Sequence, residues 1–449
     1  MSDKLIDADR RHFWHPFTQM KEYEESEPRI IVGAEGIYLE DSKGRRYIDG
    51  ISSWWVNLLG HKHPRLDAAL KAQIDRFSHV ATATLTHAPA IRLARALAEI
   101  TPTSLTRVFY SDDGSTAVET ALKMVYQSWH NRGQPDRTIF VALEHAYHGD
   151  TLGAVSVGAV PIYHRIFKPL LFPVHHAPSP ATCLAAPGED PEARVDAALA
   201  AMADWLDEHH LRTAGVILEP LVQAAAGMYI YPTRYLKAVR DLCTRYDIPL
   251  IVDEVAMGFG RTGRLFACEH AGIQPDVMCL SKAITGGYLP LGVTLATDEL
   301  FDHFYADYTD YQTFFHGHSY TGNPLGCALG LEVLSLLKKG GYPEVTAASQ
   351  NALAQGFRRL GSLEHCANVR SIGMIAAVDL MKDPEKGVPF PAEQRMGYKV
   401  SLEALRAGLY VRPLGDVIYL LPPLIITPDE VTRCIDILEE AIRKSVRSA

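Results

Sequence analysis

The chain has 449 residues, 47% hydrophobic and 22% charged, with 44 Lys and Arg against 53 Asp and Glu, a net charge of -9. That length and balance suit a globular protein of two or three domains and exclude a disordered tail, a collagen-like repeat and a small stapled scaffold. The acidic balance gives no electrostatic reason to bind nucleic acid or an anionic membrane.

The opening MSDKLIDADRRHFWHPF is charged throughout and lacks the apolar core of a signal peptide. No run approaches the roughly 18 apolar residues of a bilayer span. Residues 1–62 are rich in aromatics and turns and are expected to pack on a smaller domain or across an interface. Over 64–77, Pro64 at a helix start and Leu66, Leu70, Ile74 and Phe77 on one stripe predict a helix. Apolar runs at 106–111, 137–143, 214–220, 249–255 and 276–281 predict strands, and helical period appears between them, as over 232–246. Such alternation predicts an α/β fold with a largely parallel sheet covered on both faces.

Four strand ends carry candidate chemistry. After 106–111 the chain passes Gly114-Ser115 into a helix, with Thr116 and Glu119 spaced as a capping box; amides at such a start can bind a phosphate, although an ordinary capped helix reads the same way. After 137–143 come Tyr147 and His148, where an aromatic ring could stack; a zinc reading of His145, His148 and Asp150 has no recognised ligand spacing, so no metal is expected. Strand 249–255 carries Asp253-Glu254, most simply a strand reaching solvent. A Walker-B reading fails because G-x-x-x-x-G-K-[ST] occurs nowhere. Strand 276–281 leads into Lys282 and the turn Gly286-Gly287.

Two further motifs are set aside. Gly258 to Gly263 matches G-x-G-x-x-G, but Asp253 and Glu254 precede it and would repel a pyrophosphate, and Gly272 and Pro275 leave room only for a short helix. A dinucleotide-dependent oxidoreductase is therefore the weak reading from another class. GHSYTG, 317–322, lacks the second glycine of a nucleophile elbow.

Toward the C-terminus, strands are expected over 374–382 and 409–423 around a turn at Gly415-Asp416. A closing helix is expected behind the box Thr427-Pro-Asp-Glu430. The expected partition is 1–62 and 336–449 in a small α/β domain and 63–335 in a large one. Cys183, Cys243, Cys268, Cys279, Cys327, Cys366 and Cys434 are odd in number, contain no C-x-x-C and come no closer than 11 positions, which predicts a reducing, cytoplasmic setting.

Most lysines are solvated surface groups. A lysine at the mouth of a buried strand has a lowered proton affinity and a nucleophilic amine that can form a Schiff base with an aldehyde. With a strand-terminal Asp upstream, Lys282 suggests pyridoxal phosphate, with Asp253 keeping the ring nitrogen protonated. A scaffold without catalysis would require Lys282 to be an ordinary surface group.

The order GST, AYHGDT, ILEP, DEVAMGFGRTG, CLSKAITGGYLP and HGHSYTGNPLG resembles the class III pyridoxal-phosphate aminotransferases of fold type I, over nearly the whole chain. WHPFTQM, SSWW and VRPLGDVIYLLPP resemble the biotin-pathway branch of that class. The resemblance implies a mostly parallel seven-stranded sheet, pyridoxal phosphate, and a homodimer with sites at the subunit interface. It implies ping-pong transfer of an amino group to 8-amino-7-oxononanoate, giving 7,8-diaminononanoate. It also implies that Lys282 carries the cofactor and shuttles the proton, that Asp253 partners the pyridinium, and that Tyr147 stacks on the ring. By the same resemblance Gly114 and Ser115 form the phosphate cup, and His318 and Ser319 reach the phosphate from the neighbouring subunit. Phe17, Trp54, Tyr147, Gly317 and Arg412 are implied substrate contacts.

Four positions, in three places along the chain, depart from the family pattern. Phe17 stands where many members have tyrosine, Met257 replaces a common threonine, and Ala225 and Ala226 stand where glycines are frequent. The FTQM form resembles members that take the amino group from lysine, so S-adenosylmethionine and lysine both stand as donors. The rival within the class is an ω-amino acid or polyamine aminotransferase, which need not share WHPFTQM and SSWW.

Overall fold

The computed structural model describes residues 2–447. Its centre is a seven-stranded sheet in the order Leu105–Ser111, Gly292–Thr297, Val277–Leu280, Leu250–Asp253, Thr213–Leu218, Ile139–Leu143, Val174–Ala177. All the strands run parallel except Gly292–Thr297, which lies antiparallel to both neighbours and had no counterpart among the expected strands. The apolar runs are continuous because the sheet is buried on both faces; Thr213–Leu218 is buried at all six positions.

Side chains of alternate residues feed two cores. Phe140, Ile217, Ile251 and Val277 meet Ala117, Ala121, Val125 and Trp129 of the helix Gly114–Asn131 on one face. On the other face Val141, Val216, Leu218 and Val252 share a core with Met202 of Pro191–His209 and with Leu236 and Val239 of Thr233–Arg245. Each fully buried Val, Leu, Ile or Phe in such a layer contributes about 1.5–3 kcal/mol.

Two local expectations are corrected. The capping box at Gly114–Asn131 is formed by Asp113 and Thr116: Thr116 N donates to Asp113 Oδ1 at 2.9 Å and Asp113 N donates to Thr116 Oγ1 at 2.9 Å. Glu119 instead accepts the amide of Gly153 at 2.6 Å. The helix predicted over 64–77 is Pro64–Ile74; Leu66 is buried, but Ile74 and Phe77 are 55% and 37% exposed, so the apolar stripe is covered only at its start.

The chain ends build one neighbourhood. Strands Ile31–Glu35, Tyr38–Asp41 and Arg46–Asp49 form an antiparallel meander, and Leu409–Tyr410 joins it in parallel beside Arg46–Asp49. A second small sheet joins Cys366–Ile372, Ile375–Asp383, Val388–Pro389 and Val417–Leu420. The helix Pro428–Val446 begins with the expected Thr427–Glu430 box and Pro428 in its first turn. The helix Pro324–Gly340 runs through position 335 and packs on Pro64–Ile74 and Ala88–Ile100. Among the described residues no helix is long and apolar enough to cross a membrane.

Candidate active site

Open parallel sheets bind ligands beyond the carboxyl ends of their strands, and the candidate residues collect there. Asp253 ends Leu250–Asp253 and pairs in register with Cys279 of the adjacent strand, three positions before Lys282. Glu219 follows Thr213–Leu218, Tyr147 and His148 follow Ile139–Leu143, and Gly114-Ser115 follow Leu105–Ser111. These residues line one cleft of about 800 Å³, together with Phe17, Trp54, Trp55, Tyr163 and Arg412.

The floor of the cleft is fixed by hydrogen bonds. Asp253 is buried, and its Oδ2 accepts His148 Nδ1 at 2.7 Å while its Oδ1 accepts Val255 N at 3.0 Å. His148 is therefore the orienting partner of the carboxylate, and its buried Nε2 has no protein partner. The buried Glu219 accepts the amides of Tyr147 at 3.1 Å and Ala224 at 2.9 Å, and burial raises its carboxyl to about 7. Lys282 borders the cleft but is hemmed in by packed atoms. That enclosure lowers its ammonium to about 8, against the opposing pull of Asp253 and Glu219. Its Nζ lies 4.6 Å from the centre of the Trp55 ring.

The expectation that Asp253-Glu254 simply reaches solvent is overturned, because both side chains are buried. Glu254 is a structural acceptor for the amides of Ala267 and Cys268, at 3.0 and 2.8 Å. The G-x-G-x-x-G segment opens no helix. It is a run of turns that buries Arg261 and leads to the short 3-10 segment Ala267–Ala271.

The helix start offers an anion site. Gly114 and Ser115 are the first two residues of Gly114–Asn131, and helix starts carry amides without intrahelical acceptors. A β-carbon at Gly114 would fall 2.5 Å from Val255 Cγ1, so only glycine brings the helix this near the Asp253 loop. Ser115 Oγ accepts Thr151 N at 3.0 Å, which ties the start to the loop after Tyr147. An amine, an oriented carboxylate, helix-start amides and the Tyr147 ring around one cleft fit a flat, anionic compound that bears an aldehyde.

The opposite wall is aromatic. Arg412 lies over the Trp54 ring at 4.1 Å, near Phe17 at 5.8 Å, and donates from Nη2 to Phe17 O at 3.2 Å. Edge contacts link Phe17 to Trp54 at 5.6 Å, Phe17 to Tyr163 at 5.3 Å, and Tyr163 to Tyr147 at 6.1 Å. Burial and the nearby Asp150 carboxylate push the Tyr147 hydroxyl well above its usual range. Backbone strain concentrates here: Phe17 and Lys282 have φ of 49° and 48°, and Ser52, Ser53, Trp54 and Trp55 have 52°, 46°, 71° and 72°. Ser52–Trp55 is thus one turn of left-handed helix built from L-residues, a conformation that costs roughly 1–2 kcal/mol for each.

Gly317, His318 and Ser319 do not line this cleft within one chain. His318 Nδ1 pairs with Asp112 Oδ2 at 2.9 Å, and Ser319 O accepts His79 Nε2 at 2.6 Å. Sequence reasoning missed Glu219 and Tyr163, and it singled out His148 without its pairing. Glu219 carries the signal that marked Asp253, an acid at the end of an apolar strand; Tyr163 carries none. A second cleft of about 450 Å³, at the other end of the sheet, is lined by ion-paired groups such as Arg240 with Asp276 and holds none of the expected site residues.

Residues 20–442 match the family model described as aminotransferase class-III. The chain is 49% identical to adenosylmethionine-8-amino-7-oxononanoate aminotransferase of Geobacter sulfurreducens, over 98% of this chain and 97% of the relative. It is 44% identical to the protein of that name from Anoxybacillus flavithermus, over 98% and 96%. The solved structure of the protein of that name from Methanocaldococcus jannaschii superposes with a TM-score of 0.94 at 40% identity, covering 99% of both chains. A transaminase from the marine bacterium Virgibacillus superposes with a TM-score of 0.91 at 31% identity, also over 99% of both chains.

Proposed function

The chain belongs to the class-III aminotransferase family, and from that premise we propose that it moves an amino group onto 8-amino-7-oxononanoate to give 7,8-diaminononanoate, using pyridoxal phosphate and taking the amino group from S-adenosylmethionine or lysine. One observation carries the substrate reading: Arg412 stands on the aromatic wall of the cleft whose floor holds Lys282. A keto acid with an aliphatic chain and a terminal carboxylate matches that pair, with the guanidinium fork taking the carboxylate and the rings of Trp54 and Phe17 taking the chain.

When bound, pyridoxal phosphate supplies an aldehyde and an electron-withdrawing ring that takes up the electrons released as a C–H bond beside nitrogen breaks. Gly114 and Ser115 would hold its phosphate, Tyr147 would lie on the ring, Asp253 would face the ring nitrogen, and Lys282 would hold the aldehyde. His148 fixes the direction of the Asp253 carboxylate, and Glu219 fixes the backbone of Tyr147. Once the donor amine has displaced it, Lys282 Nζ would act as base and then acid, moving the proton from the donor carbon to the former aldehyde carbon in the first half of the reaction and from that carbon to the keto carbon of the acceptor in the second. Its proton affinity near 8 suits both roles at neutral pH. Trp54, Trp55 and Tyr163 line the same cleft and would stand between the reacting carbon and solvent.

The same reading makes the protein a cytoplasmic homodimer in which Gly317, His318 and Ser319 reach the partner's site. In support, Tyr305, Tyr308, Tyr311, Phe315 and Tyr320 are 62–79% exposed in one chain, an aromatic surface that suits an interface. All seven cysteines are unpaired and six are buried, as suits a reducing compartment. In this reading residues 1–62 and 336–449 form the small domain and 63–335 the large one, with the second boundary moved past Gly340 because the helix Pro324–Gly340 packs as a whole on Pro64–Ile74 and Ala88–Ile100; the pairing of Leu409–Tyr410 with Arg46–Asp49 supports the split.

The test is a donor screen. Purified protein should show a visible absorbance band that borohydride bleaches, and should aminate 8-amino-7-oxononanoate with S-adenosylmethionine or lysine. A colourless protein, or one that aminates pyruvate but never this keto acid, overturns the reading.

A further inference from the structure

The sequence Ser52-Ser-Trp-Trp55 contains no glycine or asparagine, the residues that enter the left-handed region readily, yet all four positions lie there. Something outside the turn must hold it. Beneath its centre is Asp49, the fully buried last residue of Arg46–Asp49. Asp49 Oδ1 accepts Ser53 N at 2.8 Å, and Oδ2 accepts Ser53 Oγ at 2.7 Å and His61 Nε2 at 3.0 Å. Both carboxylate oxygens are thereby committed to the second residue of the turn.

The remaining supports act at the ends. Arg261 donates to Trp55 O, Asn57 O and Pro422 O at 3.2, 3.0 and 2.7 Å, and Trp55 Nε1 donates to Tyr419 Oη at 3.0 Å. Behind the turn, Gly287 has φ of 85°, and a β-carbon there would lie 3.0 Å from Asn57 N. The turn has one output. It sets Trp54 under the Arg412 guanidinium and Trp55 beside Lys282 Nζ.

We infer that Asp49 is a positioning residue of this site, which holds Ser53 in the left-handed conformation and so aims Trp54 and Trp55 at the two cations of the cleft. The inference rests on the proposed transamination for its substrate, although the conformation it concerns does not depend on any reaction. Asp49 touches neither Lys282 nor Arg412 in any hydrogen bond. It acts through the turn and therefore on substrate placement more than on proton transfer.

Glycine supplies the discriminating experiment, because it takes a φ of +46° at no steric cost. KM and kcat for the keto acid and near-UV circular dichroism of the tryptophans should be measured on four variants. Asp49→Ala should raise KM about tenfold, the size expected from one unsupported left-handed residue, with kcat within about threefold and reduced tryptophan ellipticity. Asp49→Asn keeps an acceptor for Ser53 N and should stay within about threefold of wild type. Asp49→Ala with Ser53→Gly should restore both KM and ellipticity. Ser53→Val, with Asp49 intact, should reproduce the KM rise because a β-branched residue resists positive φ.

A folded Asp49→Ala protein with unchanged KM and ellipticity overturns the inference, as does failure of Ser53→Gly to restore a folded Asp49→Ala protein. If Asp49→Ala does not fold, Ser53→Val decides, and an unchanged KM and ellipticity there overturns it equally. A wild type inactive on 8-amino-7-oxononanoate would sink the proposed function instead, while loss and restoration of ellipticity would still support the clamp and unchanged ellipticity would sink it.

Discussion

The floor and the wall of the cleft are built on opposite plans. The floor residues Asp253, His148 and Glu219 are buried, stand at or just after strand ends of one sheet, and are held by hydrogen bonds of 2.7–3.1 Å. On the wall, Phe17 and Trp54 are 45% and 37% exposed, come from loops and turns, and are held by ring contacts and by backbone in the left-handed region. A buried ladder fixes atoms closely and suits groups that must share a proton. An exposed aromatic wall is adjustable and suits groups that select among substrates. The expected signature is a separation of kinetic constants, with floor changes acting on kcat and wall changes on KM.

Six measurements test that separation and the state of its groups. Lys282→Ala should lower turnover by on the order of 10⁴ and remove the visible band; residual activity near wild type in a rate assay would end the floor's claim to the chemistry. Asp253→Ala should lower kcat by on the order of a hundredfold with little change in KM, and an equal rise in KM in steady-state kinetics would show that floor and wall are not separable. Arg412→Ala should raise KM for the keto acid roughly 10- to 100-fold, the loss of a charged hydrogen-bonded contact, with kcat within a few-fold. An unaltered KM would place the carboxylate elsewhere.

The fourth measurement concerns pH. Because Lys282 is held near 8, stopped-flow uptake of the aldehyde by cofactor-free protein should accelerate about tenfold per pH unit below 8 and level off above it. The linkage sign follows from the same depression. The unfolded chain, with a lysine pKa of about 10.4, binds more protons than the folded one between pH 8 and 10.4, so Lys282 adds to stability as pH rises through that window. Denaturant titrations of wild type and Lys282→Met in the cofactor-free form would read this as a difference that narrows with pH. Smallest is Phe17→Tyr, which restores a hydroxyl beside Arg412 and should change the donor KM by about two- to tenfold. A larger effect, or one on kcat alone, would move Phe17 from the wall to the floor.

What the sequence made legible follows the same division. A strand buried on both faces must be apolar throughout, so the runs ending at Asp253 and just before Lys282 were visible, and the acid and amine at their ends stood out. Strand Gly292–Thr297 escaped notice because nothing in the run after Pro290 marks it as antiparallel. The pairing of His148 with Asp253 spans 105 positions, and the Asp49 hold on Ser53 depends on a left-handed turn that residue types alone do not announce. Glu219 is a different case, since it carried the same strand-end mark as Asp253 and was passed over. The cap at Gly114–Asn131 was misassigned because Asp113 and Thr116 offered a second pair at capping distance, three residues earlier.

The parallel pairing of Leu409–Tyr410 with Arg46–Asp49 bears on the order in which the molecule is made. Trp54 and Arg412 follow those two strands, and the bond from Trp55 Nε1 to Tyr419 Oη joins residues 364 positions apart. Every strand of the central sheet has left the ribosome before residue 409 is synthesised. Contacts of such sequence separation close late. A nascent chain can therefore bring Asp253, His148 and Lys282 together before the wall exists, and on the proposed function selectivity waits for residues 409–419.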